Sequence, residues 1–345
     1  MTEIGIVGAG VAAAAATFVL DSAHHDTTVT VLEKSGGVCG RAATRRHEEL
    51  TYDYGANYVK DDDERVVDLL TDTLDTEGLS DIPEPIYTFD ADGTVSEGRD
   101  SDSRKWTYRQ GLTQIAKRLF DQTDATVHRR TRVEELRHRD DKWTAIDTDG
   151  AEWGPFDILL MSPPAPQTAA LLQNTMWDSP VRETLIEAVE GVEYRTIWSA
   201  VLRYEFEVDV PYYGLVNPGK DHEIGWISRE ECKPGHVPDG ETLFVVQPNQ
   251  EWSVTHYDDD PEANVAALAE YAAEIIGDDR LQTPVWSDHQ GWRYALPESG
   301  VDTGPLDSAE REGLYCLGDW VTGEARVHAA LSNGLNVGEG IVNAQ

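Results

Sequence analysis

Residues 4–7 form a short apolar run, and Gly8-Ala9-Gly10-Val11-Ala12-Ala13 follows at once, leading into an alanine-rich stretch that reads as a helix to about Leu20. A strand, a glycine turn and a helix in that order aim backbone N–H groups and a helix N-terminus at a pyrophosphate. Gly8 makes the tight turn, Gly10 lets a phosphate approach, and Val11 and Ala12 open the helix. Ala13 stands where the motif usually has a third glycine, a position that asks only for close helix packing. The next strand, residues 29–32, ends at Glu33, whose carboxylate can accept both ribose hydroxyls of an adenosine, with Lys34 beside it. This pattern alone does not separate NAD from FAD.

Residues 4–20 carry no charge, so a signal peptide or membrane span is a rival reading. Glu3 stands where a secretory signal wants Lys or Arg, and the stretch is at the short limit for spanning, so the glycine turn explains it better.

The chain has 345 residues, with 64 Asp plus Glu against 28 Lys plus Arg, a formal charge of −36. Nucleic acid and anionic membranes are excluded as partners, because both are held by sustained basic surface. The acidic runs 61–64 and 258–260, with Arg favoured over Lys, resemble the bias of haloarchaeal proteins. In molar salt the Debye length falls to about 3 Å, which screens repulsion among carboxylates. The melting temperature is therefore expected to rise steeply from low to molar KCl; a temperature that does not change refutes the halophilic reading. Cys39, Cys232 and Cys316 lie far apart without a CxxC pair, which implies neither zinc nor disulfides and fits a reducing cytoplasm. His24-His25 reads as loop, and no metal constellation is evident.

Gly36-Gly37-Val38-Cys39-Gly40-Arg41-Ala42-Ala43-Thr44-Arg45-Arg46 resembles the GGRxxT signature that flavin amine oxidases place after the ribose-binding glutamate. At the other end, Leu314-Tyr315-Cys316-Leu317-Gly318-Asp319-Trp320 reads as a buried strand ending in Gly-Asp, before a helix over 326–342. A helix N-terminus there would stabilise the negative charge that hydride arrival places on a flavin. Between them lie Asp53-Tyr54-Gly55-Ala56-Asn57-Tyr58, strands at 125–128, 132–137, 142–147 and 156–161, and the exit Ser162-Pro163-Pro164-Ala165-Pro166-Gln167. Turns are expected at Asp140-Asp141 and Asp149-Gly150. Strands over 196–206, 223–228 and 242–247 and a helix over 262–276 suggest a mixed sheet beside the site.

These landmarks, with Lys233-Pro234-Gly235, Trp252-Ser253 and Trp292-Arg293-Tyr294, run in the order of the renalase-like branch of the flavin amine oxidase superfamily, which the chain resembles over nearly its whole length. The departure is Glu324-Ala325-Arg326-Val327-His328 in place of the usual Gly-Gly-Arg-Val-Glu, and Asn57 in place of Gln. The resemblance implies an α/β fold: a Rossmann-like FAD-binding domain of the two-dinucleotide-binding flavoprotein type, with an inserted α+β substrate domain on a mixed sheet. The expected division is 1–82, 105–163 and 284–345 for the cofactor and 83–104 and 164–283 for the substrate.

It also implies noncovalent FAD on Gly8, Gly10, Val11, Ala12, Glu33, Lys34, Gly40, Arg41, Ala56, Asn57, Tyr58, Val133, Gly318, Asp319, Arg326 and Val327. Arg41 would face the phosphates or ribityl chain. Tyr58, His289, Trp292 and Arg293 are the expected substrate-lining residues, and the flavin N5 carries the chemistry, so no catalytic side chain is assigned. A small donor would pass a hydride to the flavin, a misreduced dihydronicotinamide being the substrate the resemblance implies, and oxygen would restore the flavin. Oxidation of a small amine, an apolar-substrate desaturase and a non-catalytic FAD-binding protein are the alternatives. Lys220 and Lys233 do not lie on the strand that normally carries a flavin-side lysine, which leans away from amine oxidation.

Overall fold

The computed structural model describes residues 1–23, 26–98 and 103–344. His24 and His25, and 99–102 of the expected 83–104 segment, lie outside the described residues.

The apolar runs read from the sequence assemble into a parallel sheet of five strands in the order Thr126–Arg129, Thr27–Glu33, Thr2–Val7, Ile158–Met161 and Leu314–Cys316. Central strands of such a sheet are covered on both faces, which is why Ile4, Ile6, Val31, Leu159 and Leu160 are fully buried. On one face lie the helices Val11–Ala23, Thr113–Asp121 and Val327–Ala344. The run of alanines lets two of them approach backbone to backbone: a Cβ added at Gly334 would sit 2.1 Å from the carbonyl oxygen of Ala12. Gly334→Ala is therefore expected to destabilise by about 1–3 kcal/mol through overpacking, measured by chemical unfolding. Equal stability would contradict this helix crossing.

The opposite face packs on the hairpin Val133–Arg139 and Lys142–Asp147, whose turn residues Asp140 and Asp141 both have positive φ, 52° and 58°, as a two-residue hairpin turn requires. The helices Ala165–Gln173 and Pro180–Glu190 join the same core through Leu172, Leu185 and Val189.

A second sheet has seven strands in the order Trp286–Pro297, Tyr194–Tyr204, Thr242–Pro248, Ile224–Arg229, Gly214–Val216, Ile86–Phe89 and Val95–Ser96. It is mixed, because Gly214–Val216 pairs in parallel with Ile86–Phe89 while the other pairs are antiparallel. The two-residue strand period sorts its side chains. Ala200, Leu202, Phe244 and Val246 face the helix Pro261–Ile276, whose Leu268, Ala272 and Ile275 are buried as expected. Val201, Leu243 and Val245 face the hairpin Thr44–His47 and Leu50–Asp53.

The expected boundaries at 163 and 284 do not follow these layers. Residues 286–297 run the length of Tyr194–Tyr204 and edge the seven-stranded sheet, whereas 165–190 pack under the parallel sheet. Strand pairing between distant residues, such as Tyr194 with Pro297, and the layer that an apolar helix face chooses are both long-range facts that local pattern does not encode. No helix among the described residues is long and apolar enough to cross a membrane.

Candidate functional site

Between the two sheets runs a cleft of about 1670 Å³. It brings together Gly8, Gly10, Val11, Ala12, Glu33, Lys34, Gly40, Arg41, Ala56, Val133, Trp292, Arg293, Gly318, Asp319, Arg326 and Val327. Its volume exceeds the ~300–1,000 Å³ of an ordinary small-ligand pocket, as a dinucleotide with room for a donor needs.

At one end the chain turns through Gly8 at φ 92°, with its N–H bonded to Leu32 O at 2.8 Å. The buried Glu33 carboxylate is fixed by backbone donors on both oxygens, Ala9 N and Ser35 N, each at 2.7 Å. Each oxygen keeps a lone pair for a ribose hydroxyl. The first N–H groups of the helix beginning at Val11 have no carbonyl partner within the helix, so they are available to an anion at the turn. Cys39 N donates to Ala9 O at 2.8 Å, which pins the arginine segment against the turn. Burial pushes the Cys39 thiol up to about 12, so this cleft cysteine is not a ready thiolate.

At the other end Arg41 grips Asp319 with both guanidinium nitrogens, at 2.6 and 3.0 Å, and donates to Ala295 O at 2.9 Å. Desolvation opposes the Arg41 charge, and the Asp319 carboxylate more than offsets it, raising the guanidinium above its ordinary value. Arg41, expected to face the phosphates or the ribityl chain, has its fork committed to tying together two segments 278 positions apart. Gly318 adopts φ 137° and donates to Asn333 Oδ1 at 2.8 Å, while Trp320 Nε1 reaches Pro163 O at 3.1 Å. Ala56 N bonds Arg41 O at 3.0 Å, and Gln247 Nε2 holds Gly55 O at 3.1 Å. Trp292 stacks on Tyr54 at 5.2 Å and donates to Tyr54 O.

Asn57, Tyr58 and His289 are placed elsewhere. The Asn57 side chain is occupied by Ser228 Oγ, which donates to its Oδ1 at 2.9 Å, and by Gly55 O. Tyr58 joins Tyr213 and Trp226 in an aromatic group, with its phenol pushed up by burial and pulled down by the nearby Arg326 charge. His289 is exposed and stacks flat on Trp198 at 5.1 Å, on the sheet face that carries the helix Pro261–Ile276. Residues missed in the sequence, Ile197, Gln247, Tyr257 and Gln290, line the donor end. They carry no motif; strand parity relative to Trp292 was the signal available for Gln290.

The lining inverts the sign of the chain. It holds Lys34, Arg41, Arg45, Arg46, Lys117, Arg129, Arg132, Arg293 and Arg326 against Glu33, Asp121, Glu134 and Asp319. In a molecule with 64 acids and 28 bases, a cleft of this sign selects an anionic occupant.

Beneath the cleft the KPG turn closes a fully buried charge cluster. Lys233 Nζ lies 3.0 Å from Asp53 Oδ2 and 2.7 Å from Glu230 Oε1, and His236 bridges Glu230 Oε2 at 2.8 Å and Tyr108 O at 3.0 Å. Asp53, Glu230 and His236 are close enough to hold a metal ion, a grouping not evident in the sequence, and the Lys233 ammonium pairs with both of its carboxylates. Burial opposes ionisation of Glu230, yet Lys233 and His236 hold its carboxyl below the usual range.

Residues 6–73 match the NAD(P)-binding Rossmann-like domain, and residues 93–342 match flavin containing amine oxidoreductase. The chain is similar to renalase of Mus musculus, 24% identical with 98% of each chain covered. It superposes on a crystal structure assigned as a protoporphyrinogen oxidase from Exiguobacterium sp. 255-15 with a TM-score of 0.78 at 14% identity, covering 100% of this chain and 99% of that one. On cyclohexylamine oxidase from Brevibacterium oxydans IH-35A the TM-score is 0.75 at 10% identity, covering 99% of each. With a cleft that fits FAD at both ends, the chain belongs to the flavin containing amine oxidoreductase family and is an FAD-dependent oxidoreductase.

Proposed function

We propose that the protein oxidises a misreduced dihydronicotinamide nucleotide, the substrate implied by its resemblance to the renalase-like branch, with oxygen as the final acceptor. The balance is a dihydronicotinamide, a proton and oxygen giving the aromatic nicotinamide and hydrogen peroxide. FAD, when bound, supplies the hydride acceptor.

The observation that carries this reading is the charge of the donor end. Its cations are Arg45, which pairs with Asp288, Arg293, whose acid contact to Asp258 is long, and Arg326, and the carboxylate lining it, Asp319, is held by Arg41. Among the described residues lining that end, a protonated amine would meet no unpaired carboxylate. A flat, uncharged ring attached to phosphates finds aromatic surface at Trp292 and Tyr54 and basic residues at the rim. The chain's own residues have positioning work to do: Gln247 fixes the Gly55 carbonyl, Trp292 walls the ring, and Arg41 with Asp319 holds the two segments together.

Anaerobic mixing of the holoenzyme with 2- and 6-dihydronicotinamide dinucleotides is expected to bleach the flavin band, whereas spermidine and cyclohexylamine leave it oxidised. Bleaching by the amines alone establishes amine oxidation instead. No bleaching by either class leaves the non-catalytic reading.

A further inference from the structure

The donor end contains one arginine whose setting differs from its neighbours. Arg41 is committed to Asp319 and Ala295 O, and Arg45 to Asp288 and Gln290. Arg326 donates to the adjacent Ala325 O, and Arg45, besides its acid, lies 4.2 Å over the Tyr54 ring; Arg293 lies equally close, 4.2 Å, over the face of Tyr257, and differs in its acid partner. Tyr257 is a fixed platform: a Cβ added at Gly291 would come within 3.0 Å of its ring, so the strand backbone and the ring are in direct contact. The acid nearest to Arg293 is Asp258, at 3.7 Å, with side chains 55% and 89% exposed. An ion pair of that length and exposure contributes almost nothing. The guanidinium rests against the ring while its side chain is 55% exposed, so its N–H groups are accessible from the cleft rim, and arginine binds phosphate through two parallel hydrogen bonds.

We propose that Arg293, seated on Tyr257 at the rim of the cleft, binds a phosphate of the hydride donor and so selects phosphorylated nicotinamides over the phosphate-free nucleoside. This rests on the dihydronicotinamide reading. Arg293 is here a specificity-determining residue; it takes no part in hydride transfer. The Tyr257 ring contributes by removing rotamer freedom from the arginine before binding, which lowers the entropic cost of ordering it on the ligand.

The test uses oxidised holoenzyme, with FAD content checked for each variant. Nicotinamide mononucleotide and nicotinamide riboside are titrated separately, and binding is read from the flavin difference spectrum. The mononucleotide is expected to bind at least about tenfold more tightly than the riboside, the size of one charge-assisted contact. In Arg293→Gln the ratio is expected to collapse toward one, and in Arg293→Lys to recover only in part. A ratio near one in the wild type, or an undiminished ratio in Arg293→Gln, overturns the proposal. Because the titration involves no turnover, it stands apart from the bleaching experiment: ligand discrimination without bleaching refutes the oxidation reading and leaves the phosphate contact in place. Bleaching without discrimination does the reverse.

Discussion

Lys233→Met is expected to lower the free energy of unfolding by about 3–5 kcal/mol, the cost of removing one partner from a buried ion pair. Lys233 is fully enclosed and neutralises Asp53 and Glu230 at 3.0 and 2.7 Å, so methionine leaves two carboxylates without their cation. The cluster joins distant parts of the chain. Asp53 Oδ1 accepts from Leu112 N and from Thr44 Oγ1, which places the arginine segment, the start of the helix Thr113–Asp121 and the KPG turn on one polar core. The pH dependence has a defined sign. Glu230 is held below its ordinary value, so in the wild type it contributes stability above the unfolded value near 4.3, and that stability is lost as pH falls through the folded value. In the variant the Glu230 carboxyl loses the cation that kept it ionised, so the deficit relative to wild type narrows as acid is added. Urea unfolding between about pH 2 and pH 8 checks both statements, and a loss below about 1 kcal/mol at pH 7 contradicts the assigned role.

The second large effect is expected at Gly55. A Cβ there would lie 2.1 Å from Arg41 O, the atom that accepts the Ala56 N–H, and 3.1 Å from the Trp292 ring. Backbone meets backbone at this point, so no side-chain rotation relieves the clash, and the wall of the cleft must move. Gly55→Ala is expected to weaken FAD binding by roughly tenfold to a hundredfold, the overpacking cost of about 1–3 kcal/mol appearing as lost affinity. Gly340→Ala serves as the comparison, since its added methyl meets nothing within 4 Å and a helical alanine is favourable. Equal FAD affinity in the two variants would show that the Gly55 segment does not form the wall.

What was legible in the sequence is what backbone chemistry demands. Gly8, Glu33 and Gly318-Asp319 were identifiable because a positive φ, a ribose acceptor and a strand exit each restrict residue type at a fixed spacing. The cleft lines up with those positions. The misplacements fall where one residue decides the face. His289 and Gln290 are adjacent on one strand, and the period of two sends the first to Trp198 and the second to the cleft. Asn57 and Tyr58 follow a true wall segment but lie past the point where the chain turns to the second sheet, so Ser228 and Tyr213 claim them. The Lys233 cluster was invisible for another reason. Its members come from positions 53, 230, 233 and 236, and only the folded pairing of the Leu50–Asp53 hairpin with the KPG turn makes them one group.

The central claim is that both chain ends build a single FAD site, and titration of the apoprotein with FAD tests it most directly. The account predicts saturation at one FAD per chain and weaker binding on changing either end, Gly10→Val in the glycine turn or Asp319→Ala beside Arg41. Protein that takes up no FAD, or binds it equally well after either substitution, would contradict it.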